Sequence, residues 1–339
     1  MAEQPIDIVI TYVDGNDVNW QRQKNEYSPD GACDVNPNRY REWNNLYYLF
    51  RGIERYAPWV RKIHFVTWGH LPAWLNPDHP KLHIVRHEDY IPAKWLPTFN
   101  NRCIELNLHR IPDLSEQFIY FNDDMFLTAP VKPEDFFRDG KPVETAVLFA
   151  PNYTLANNVS LHLAPVVDTA IVNKYFDMHR VIRQHPGKWI NWRYGAYNFM
   201  TLPLLMYKHF TGFLATHLPY SYLRSTFETI WEKEPGFCET SSEHKFRVVT
   251  DINQWLMNYW QFASNNFCPR SIRFGKAFQI HTAADADRAA KAIGEHRYRT
   301  ICLNDVVDSR EDFGYISTTV RDALEAILPG RSEFELPGE

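Results

Sequence analysis

The run Asn122-Asp123-Asp124 contains the residue types that most directly suggest chemistry. It follows an apolar run, residues 117–121, that is typical of a buried strand. Ligands of open α/β sheets bind beyond the carboxyl ends of the strands, and adjacent carboxylates there can hold a hard divalent cation such as Mg²⁺ or Mn²⁺. The alternative is a plain turn in which Asn122 and Asp123 accept hydrogen bonds from the local backbone.

Asp14 is another acidic residue at the end of a strand-like run, in this case residues 6–13. The residues that follow it favour a turn. If both runs belong to one parallel sheet, Asp14 lies at the same edge as Asp123 and Asp124, which strengthens the prediction of a ligand site. The alternative role of Asp14 is that of a solvated turn residue.

Strand-like and helix-like runs alternate in the first half of the chain. Strands are predicted at residues 6–13, 62–67, 81–85 and 117–121, and helices at 41–57 and 100–109. This alternation indicates right-handed crossovers, and it predicts an α/β fold with a mainly parallel, helix-covered sheet.

The second half is mainly helical by its pattern. Helices are predicted at 167–183, 189–210, 221–233 and 251–263, with Pro203 as a break, and short strands at 276–281 and 300–303. Ser309 and Asp312 are spaced as an N-capping pair that opens a last helix reaching residue 328. We therefore expect an α/β core in residues 1–150, a helical insertion in 151–270 and a return to the core in 271–339.

Composition limits the classes of partner and the location. The 339 residues carry a formal net charge of −5, and short basic stretches such as the one with Arg39 and Arg41 are interrupted, which argues against a nucleic-acid partner. Five widely separated cysteines predict thiols in a reducing compartment. No secretory signal or membrane-spanning run is recognisable, so we expect a cytoplasmic protein, with peripheral contact at the inner face of a membrane left open.

Aromatic residues make up 15% of the chain, and such side chains can fill a core or stack on sugars and bases. For the aromatic run in residues 189–199, helical spacing favours the core over sugar stacking. The chain has no GxxxxGK[ST] loop and no GxGxxG after the first strand. Their absence argues against a P-loop kinase and a dinucleotide-dependent dehydrogenase.

Several short blocks of residues carry a family resemblance. The earlier ones are IDIVITYVDGND at residues 6–17, Arg39-Tyr40-Arg41, Tyr56-Ala57-Pro58-Trp59-Val60, Leu96-Pro97-Thr98-Phe99 and Phe121-Asn122-Asp123-Asp124-Met125-Phe126. His217-Leu218-Pro219 with Arg247 follows, and then Ile301-Cys302-Leu303-Asn304-Asp305. Together the blocks span nearly the whole chain and resemble the Stealth family. These are sugar-phosphate transferases of bacterial capsule and exopolysaccharide synthesis, related to the lysosomal-enzyme N-acetylglucosamine-1-phosphotransferase.

The resemblance implies a nucleotide-binding sheet of the glycosyltransferase A type. It also implies transfer of hexose 1-phosphate from a UDP-hexose to a hydroxyl of an oligosaccharide, polysaccharide or lipid-linked glycan. UMP would leave and a phosphodiester would remain. Two other functions stay open, namely an ordinary inverting glycosyltransferase that releases UDP and a non-catalytic glycan-binding protein.

Such a transfer needs a base for the acceptor hydroxyl, positive charge for the phosphates and a metal for the departing nucleotide. With the resemblance, His217 is the candidate base, and Arg247 is the candidate phosphate ligand because a guanidinium binds phosphate oxygens in a planar fork. Either residue could instead serve packing or the surface. Asp124 is assigned to catalysis and to the metal, with Asp123 and Asp305 as further metal ligands.

The remaining candidates are assigned to substrate binding: Asp14, Arg39, Arg41, Asn122, Asp251, Asn253 and Asn304. Each has a structural alternative. The two arginines could be surface charges, Asp251 and Asn253 could cap the following helix, and Asn304 could lie in a turn.

One segment departs from the family pattern. Many relatives carry an Asp-Asn-Asp-Glu-like run after the arginines, whereas this chain has Glu42-Trp43-Asn44-Asn45. The difference suggests a subfamily with its own preference for donor or acceptor.

Overall fold

The computed structural model describes residues 4–28, 43–151, 159–307 and 311–337. Its strands are β1 (Ile6–Tyr12), β2 (Ile63–Thr67), β3 (Leu82–Arg86), β4 (Gln117–Asn122), β5 (Met125–Leu127), β6 (Phe137–Arg138), β7 (Lys141–Glu144), β8 (Tyr220–Leu223), β9 (Cys268–Pro269), β10 (Gly275–Ile280) and β11 (Thr300–Asp305). Its α-helices are α1 (Val18–Tyr27), α2 (Leu46–Tyr56), α3 (His87–Tyr90), α4 (Asn101–Leu106), α5 (Val159–Tyr175), α6 (Met178–Gln184), α7 (Pro186–Trp189), α8 (Asn198–Leu204), α9 (Arg224–Lys233), α10 (Pro235–Glu243), α11 (Trp255–Ala263), α12 (Ala283–Gly294) and α13 (Phe313–Ile327). Short 3₁₀ segments lie at Ala93–Trp95, Leu108–Arg110, Pro133–Asp135 and Trp192–Tyr197.

A five-stranded sheet in the order β3-β2-β1-β4-β8 lies at the centre of the fold. β1 is parallel to β2 and β4, and β2 is parallel to β3, whereas β8 runs antiparallel to β4. The predicted α/β fold with a mainly parallel sheet is confirmed.

The central sheet is buried on both faces, which explains why its strands read as continuous apolar runs. In β1, Ile8 and Ile10 belong to one core and Val9 belongs to the other. The first core includes side chains of α2, α12 and α13. The second includes side chains of α4, α5, α9 and α11, so the helical half of the chain covers the opposite face.

A second sheet, in the order β10-β11-β5, continues from the end of the central one. Only Asp123 and Asp124 separate β4 from β5, and β5 pairs antiparallel with β11, so that Met125 lies opposite Cys302. β10 and β11 are parallel. A third small sheet has the order β6-β7-β9. Sheets are thus built from strands of all three predicted units, and the division at residues 150 and 270 stays a prediction.

The helical half is interrupted more often than its pattern predicts. The predicted helix 167–183 stops at Tyr175 and a new helix starts at Met178, because Asp177 accepts a hydrogen bond from the Arg180 N–H and caps it. The predicted helix 189–210 is instead a 3₁₀ segment followed by α8, and Gly195 within that segment has a φ of 52°.

Two further helix starts differ from prediction. Residues 220–223 form β8, so α9 begins only at Arg224, and α11 begins at Trp255 instead of residue 251. The sequence patterns missed α1, α10 and α12. Asp312 is the cap of α13, since its side chain accepts a hydrogen bond from the Tyr315 N–H, while Ser309 lies outside the described residues.

Within the described ranges, no helix has both the length and the hydrophobicity that a bilayer span requires. Cys103, Cys238, Cys268 and Cys302 are free thiols, and Cys33 falls outside those ranges.

A buried polar cluster anchors the amino end of β1. The Asp7 carboxylate, fully buried, accepts hydrogen bonds from Arg61 Nε at 2.8 Å and from the Ser115 N–H at 2.8 Å, and it lies 3.1 Å from His64 Nε2. Burial alone would raise the pKa of Asp7, but the hydrogen bonds from His64, Arg61 and Ser115 outweigh it and hold the pKa at about 2. Asp7 therefore stabilises the fold while it is ionised.

We expect Asp7→Asn to destabilise the protein at pH 7 by about 2 kcal/mol, because the lowered pKa represents that much preference for the charged form. The contribution is complete above the ordinary pKa of 3.8 and is lost as pH falls toward 2. Urea unfolding should show a gap between wild type and variant that narrows below pH 4. Asp78→Asn, at an exposed carboxyl, serves as the matched control, and a gap independent of pH would contradict the assignment.

Candidate functional site

The carboxyl ends of β1, β2 and β4 meet at one edge of the central sheet, as their parallel pairing requires. Thr11 of β1 is in register with Asn122 of β4. Just beyond these ends the Asp14 N–H donates a 2.7 Å hydrogen bond to His70 Nε2, which joins the loops after β1 and β2. Asp14 and the run that starts at Asn122 therefore lie at the same edge of the sheet, as the sequence analysis expects.

Asp123 and Asp124 form the connection between the two larger sheets. Asp123 is exposed, whereas Asp124 is half-buried. The Asp124 carbonyl accepts a hydrogen bond from the Leu303 N–H at 2.9 Å, and its Oδ2 accepts one from Cys302 Sγ at 3.2 Å. Asp124 Oδ1 is buried and has no hydrogen-bond partner. One carboxylate oxygen is therefore bound by β11, and the other is buried without a hydrogen-bond donor.

His217 reaches the same place from the segment before β8. Because β8 is antiparallel to β4, with Tyr220 in register with Tyr120, the residues just before it lie at the carboxyl edge of the sheet. His217 Nε2 lies 3.7 Å from Asp124 Oδ2 and 3.4 Å from Asn122 Nδ2.

The backbone of His217 is in the left-handed region, with a φ of 46°, and its N–H donates to the Tyr220 hydroxyl at 3.2 Å. This conformation costs free energy for a residue other than glycine, and residues strained in this way are found mostly at functional sites. The left-handed conformation and the hydrogen bond to Tyr220 together fix the backbone that carries the His217 imidazole.

Cys302 is a member of the site that the sequence analysis did not assign. Burial raises the pKa of its thiol well above the ordinary value, and the negative charge of Asp124 adds to that rise. The thiol is therefore protonated at neutral pH and donates to the Asp124 carboxylate. The sequence does contain a signal for Cys302, because side chains two residues apart in a strand share a face, and Cys302 is two residues before the candidate Asn304 in β11.

Asp124, His217 and Cys302 together could hold a cation. One ligand atom from each lies within 4.8 Å of the other two. The unpartnered Asp124 Oδ1 supports such a role, because a buried carboxylate oxygen without a donor is otherwise costly. A carboxylate suits Mg²⁺ or Mn²⁺, whereas imidazole and sulfur are softer ligands, so the donor set does not identify the ion.

Arg247 is connected to the sheet edge by a series of polar side chains, of which Glu105 and Tyr120 are buried. Its Nε donates to Asn101 Oδ1, and Asn101 Nδ2 donates to Glu105 Oε1 at 3.0 Å. The same Glu105 oxygen accepts from the Tyr120 hydroxyl at 2.9 Å, which also lies 2.9 Å from Thr11 Oγ1. This series begins at Arg247, on the loop before α11. It ends at Thr11, which lies beside Asn122 at the carboxyl edge of the sheet.

Glu105 is also absent from the residues assigned by sequence. It is 3% exposed, burial raises the pKa of its carboxyl, and the positive charge of Arg247 opposes that rise. A glutamate inside a short amphipathic helix carries no recognisable sequence signal, because the pattern does not show which helical charges are buried.

Asp251 anchors the loop that carries Arg247. The Asp251 carboxylate lies 2.6 Å from His244 Nδ1 and accepts hydrogen bonds from Asn100 Nδ2 at 3.0 Å and the Val248 N–H at 2.9 Å. The buried guanidinium of Arg102 lies 3.8 Å away. These partners give Asp251 a positioning role for the loop.

The remaining candidates described by the structure have hydrogen-bond partners other than Asp124 and His217. Asn253 Oδ1 accepts a 2.8 Å hydrogen bond from the Trp255 N–H at the start of α11, which is the helix-start role left open above. Asn304 Nδ2 donates to Gln279 Oε1 at 2.6 Å. Asp305 Oδ2 accepts from Trp43 Nε1 at 2.9 Å and Oδ1 accepts from the Val307 N–H at 3.1 Å.

Asp305 therefore has structural partners on both oxygens, and one of them, Trp43, belongs to the segment that departs from the family pattern. Its role as a metal ligand stays a prediction. Arg39 and Arg41 lie outside the described residues, and their substrate-binding role also stays a prediction.

A mainly parallel sheet with polar and acidic side chains at its carboxyl edge is the architecture of an α/β enzyme that binds its ligand at the strand ends. Models of two conserved regions of the Stealth proteins match the chain, region 2 at residues 39–144 and region 4 at residues 291–339. The chain belongs to the Stealth family, and the resemblance drawn from the sequence blocks is confirmed.

Curated relatives match almost end to end. The capsular polysaccharide phosphotransferase WcwK of Streptococcus pneumoniae is 40% identical over 337 residues, covering 98% of each chain. The receptor polysaccharide phosphotransferase WefC of Streptococcus oralis is 37% identical over 98% of this chain and 99% of its own. The exopolysaccharide phosphotransferase cps2G of Lactiplantibacillus plantarum is 35% identical over 97% of this chain and 96% of its own.

A solved apo structure of the WbbM bifunctional glycosyltransferase aligns with a TM-score of 0.41 and 9% identity. The alignment covers 97% of this chain and 50% of that protein, so the chain spans about half its length.

We expect Gly275→Ala to destabilise the protein by about 1–3 kcal/mol, because an added methyl group would overlap its neighbours in a packed core. A Cβ at Gly275 would lie 2.7 Å from Leu218 Cδ1 and would also collide with Thr300. Leu218 directly follows His217, so the overlap acts on the segment that positions the imidazole. Urea unfolding measures the loss. Gly294→Ala, with no atom within 4 Å of the added Cβ, should cost nothing, and equal stability of the two variants would contradict this packing.

We expect Asp251→Asn to destabilise the protein by about 3 kcal/mol, because it leaves the buried Arg102 without its counter-charge. Limited trypsin digestion should also become faster after Lys245 and Arg247, since their loop loses its anchor. Asp322→Asn, at an exposed site on α13, is the control and should change neither measurement. An unchanged digestion rate in Asp251→Asn would show that the carboxylate does not hold the loop.

Proposed function

We propose that the chain transfers hexose 1-phosphate from a UDP-hexose to a glycan hydroxyl in capsule or exopolysaccharide synthesis, releasing UMP and forming a phosphodiester. The proposal rests chiefly on the convergence of Asp124 and His217 at 3.7 Å, at the carboxyl edge of the sheet. The curated relatives, which are named as polysaccharide phosphotransferases, support the same reaction class.

His217 is the proposed base. When the Asn122 amide donates its N–H to Nε2, this nitrogen carries a lone pair and the imidazole is neutral with its proton on Nδ1. A neutral imidazole can accept the proton of an acceptor hydroxyl near neutral pH. The left-handed backbone of His217 and the Tyr220 contact hold the ring position while the acceptor binds.

The bond changes follow from the proposed products. The acceptor oxygen forms a bond to the phosphorus that carries the hexose, and the bond from this phosphorus to the bridging oxygen breaks. UMP leaves with the bridging oxygen and its electron pair, while the hydroxyl proton passes to His217 Nε2. The hexose keeps its bond to phosphate throughout, which distinguishes this reaction from glycosyl transfer.

Asp124 is the proposed principal ligand of a divalent cation, with Asp123 beside it at the strand end. Mg²⁺ or Mn²⁺ held there would supply positive charge to the diphosphate of the donor. Cys302 donates its thiol hydrogen to Asp124 Oδ2, and Oδ1, which has no hydrogen-bond partner, would be a further ligand atom for the cation.

Arg247 is the proposed phosphate ligand on the helical side. Its guanidinium is oriented by Asn101 and is placed near the charge of Glu105. A hydrogen bond at Nε fixes the orientation of the planar guanidinium. A guanidinium with a fixed orientation favours recognition of two phosphate oxygens in its plane. Asp14 and Asn122 are the proposed contacts to the nucleotide-sugar at the sheet edge.

The test is an assay of the purified protein with a panel of UDP-hexoses, Mg²⁺ or Mn²⁺ and an oligosaccharide acceptor. We expect UMP as the nucleotide product and a phosphodiester signal in phosphorus NMR. Release of UDP without UMP would overturn the proposal in favour of an ordinary inverting glycosyltransferase. No turnover with any donor, together with retained glycan binding, would favour a non-catalytic binding protein.

Variants test the site separately from the product. We expect Asp124→Asn and His217→Gln each to lower the rate at least about 100-fold, because they remove the metal ligand and the base. Asp139→Asn and His185→Gln, both at exposed positions, are the matched controls and should retain the wild-type rate. Thermal unfolding checks that all four variants are folded. A wild-type rate in Asp124→Asn would remove that carboxylate from the mechanism.

A further inference from the structure

Large apolar side chains are exposed together on the 3₁₀ segment Trp192–Tyr197, on α8 and on the turn after it. Trp192 is 79% exposed, Phe199 77% and Met206 87%, and Leu202 and Tyr207 are about half exposed. We call these five side chains the 192–207 surface. Folded proteins seldom expose a cluster of large apolar side chains unless another surface covers it.

The apolar side chains follow helical spacing. Phe199, Leu202 and Met206 are spaced i, i+3 and i+7, which puts them on one side of α8 and its extension. Thr201 on the opposite side is fully buried, where its hydroxyl accepts a hydrogen bond from the Leu148 N–H at 3.2 Å. The helix therefore directs the polar Thr201 toward the protein interior and its large apolar side chains toward solvent.

Specific hydrogen bonds hold the surface in place. Asn198 Nδ2 donates to the Asn191 carbonyl at 2.8 Å, and Asn198 Oδ1 accepts from the Asn191 N–H at 3.1 Å. Beneath them, Trp189 and Tyr194 are fully buried, and the Tyr194 hydroxyl donates to the Lys188 carbonyl at 2.8 Å. The expectation that the aromatic run fills the core holds for these two residues but not for Trp192 and Phe199.

The charged side chains of the segment that contains this surface are of one sign. Residues 178–227 contain six Lys and Arg residues and no Asp or Glu, in a chain whose net charge is −5. Arg180 and Arg183 are exposed on α6, which leads into α7 and the surface, and Lys208 is exposed directly after it. These exposed cations complement an anionic partner.

We propose that the 192–207 surface docks on an anionic lipid bilayer, with its apolar side chains at the headgroup boundary and the flanking cations on lipid phosphates. Tryptophan, phenylalanine and tyrosine beside Lys and Arg are the composition of interfacial membrane segments. A glycan is a poorer fit, because carboxylates that accept hydrogen bonds from sugar hydroxyls are absent from the whole 178–227 stretch.

The proposal goes beyond the transfer reaction and does not depend on it. Docking through this surface would keep an acceptor carried on a lipid close to the enzyme. It also requires no membrane-spanning segment, since a set of apolar side chains with a cationic border suffices for reversible surface binding.

The test is co-sedimentation of the purified chain with vesicles of equal parts phosphatidylglycerol and phosphatidylcholine, compared with phosphatidylcholine alone. We expect binding to the anionic vesicles that weakens when NaCl is raised, because exposed charges are screened. We expect Phe199→Ser with Met206→Ser to weaken binding at least about tenfold, since both side chains would leave the headgroup boundary. The control is Phe237→Ser with Tyr315→Ser, which removes two exposed rings from other elements and should bind as wild type.

Lys208→Glu provides a second variant that leaves the apolar side chains intact, and it should weaken binding to anionic vesicles specifically. Thermal unfolding confirms that each variant is folded. Failure of the wild type to bind anionic vesicles, or wild-type binding by the double variant, would overturn the proposal. Unchanged vesicle binding by the double variant with weaker binding of a soluble oligosaccharide would instead assign the surface to glycan.

Discussion

The two-residue connection from β4 to β5 is the constraint on which the candidate site depends. This connection has little conformational freedom, because it is short and both flanking strands are paired. β4 lies between β1 and β8, and β5 pairs with β11. The Asp124 carbonyl and one of its carboxylate oxygens are then bound by Leu303 and Cys302. The remaining carboxylate oxygen is directed by the packing of two sheets, so its position does not rely on a mobile loop.

The helical half contributes to the same edge through buried polar contacts. Asp251 binds the segment before α11 to α4, and Glu105 on α4 binds Tyr120 of the central sheet. Buried groups of this kind have well-defined partners, because a missing hydrogen bond in the interior costs more than one at the surface. Arg247 is thereby kept in a fixed relation to the strand ends, although it is distant from them in sequence.

The sequence predicted the mainly parallel sheet because strands buried on both faces leave long apolar runs, as in β1. It predicted the strand-end location of Asp14 and Asn122 for the same reason. It did not predict β8, because an edge strand of four residues beside an amphipathic helix has no separate pattern. Cys302 and Glu105 were missed because their roles depend on which neighbours the tertiary fold supplies, and His217 was assigned only through the family block.

The contact between Asp124 and β11 has a consequence for the order of synthesis. A chain emerging from the ribosome can form β1, β2 and β4 early, yet Asp124 acquires its bond to Cys302 only when a residue 178 positions further along the chain has been made, and its bond to Leu303 forms one residue later. The carboxylate thus stays unorganised in the nascent polypeptide. The candidate site at this edge is consequently completed by tertiary folding, when β11 pairs with β5, and not by the residues adjacent to Asp124 in the sequence.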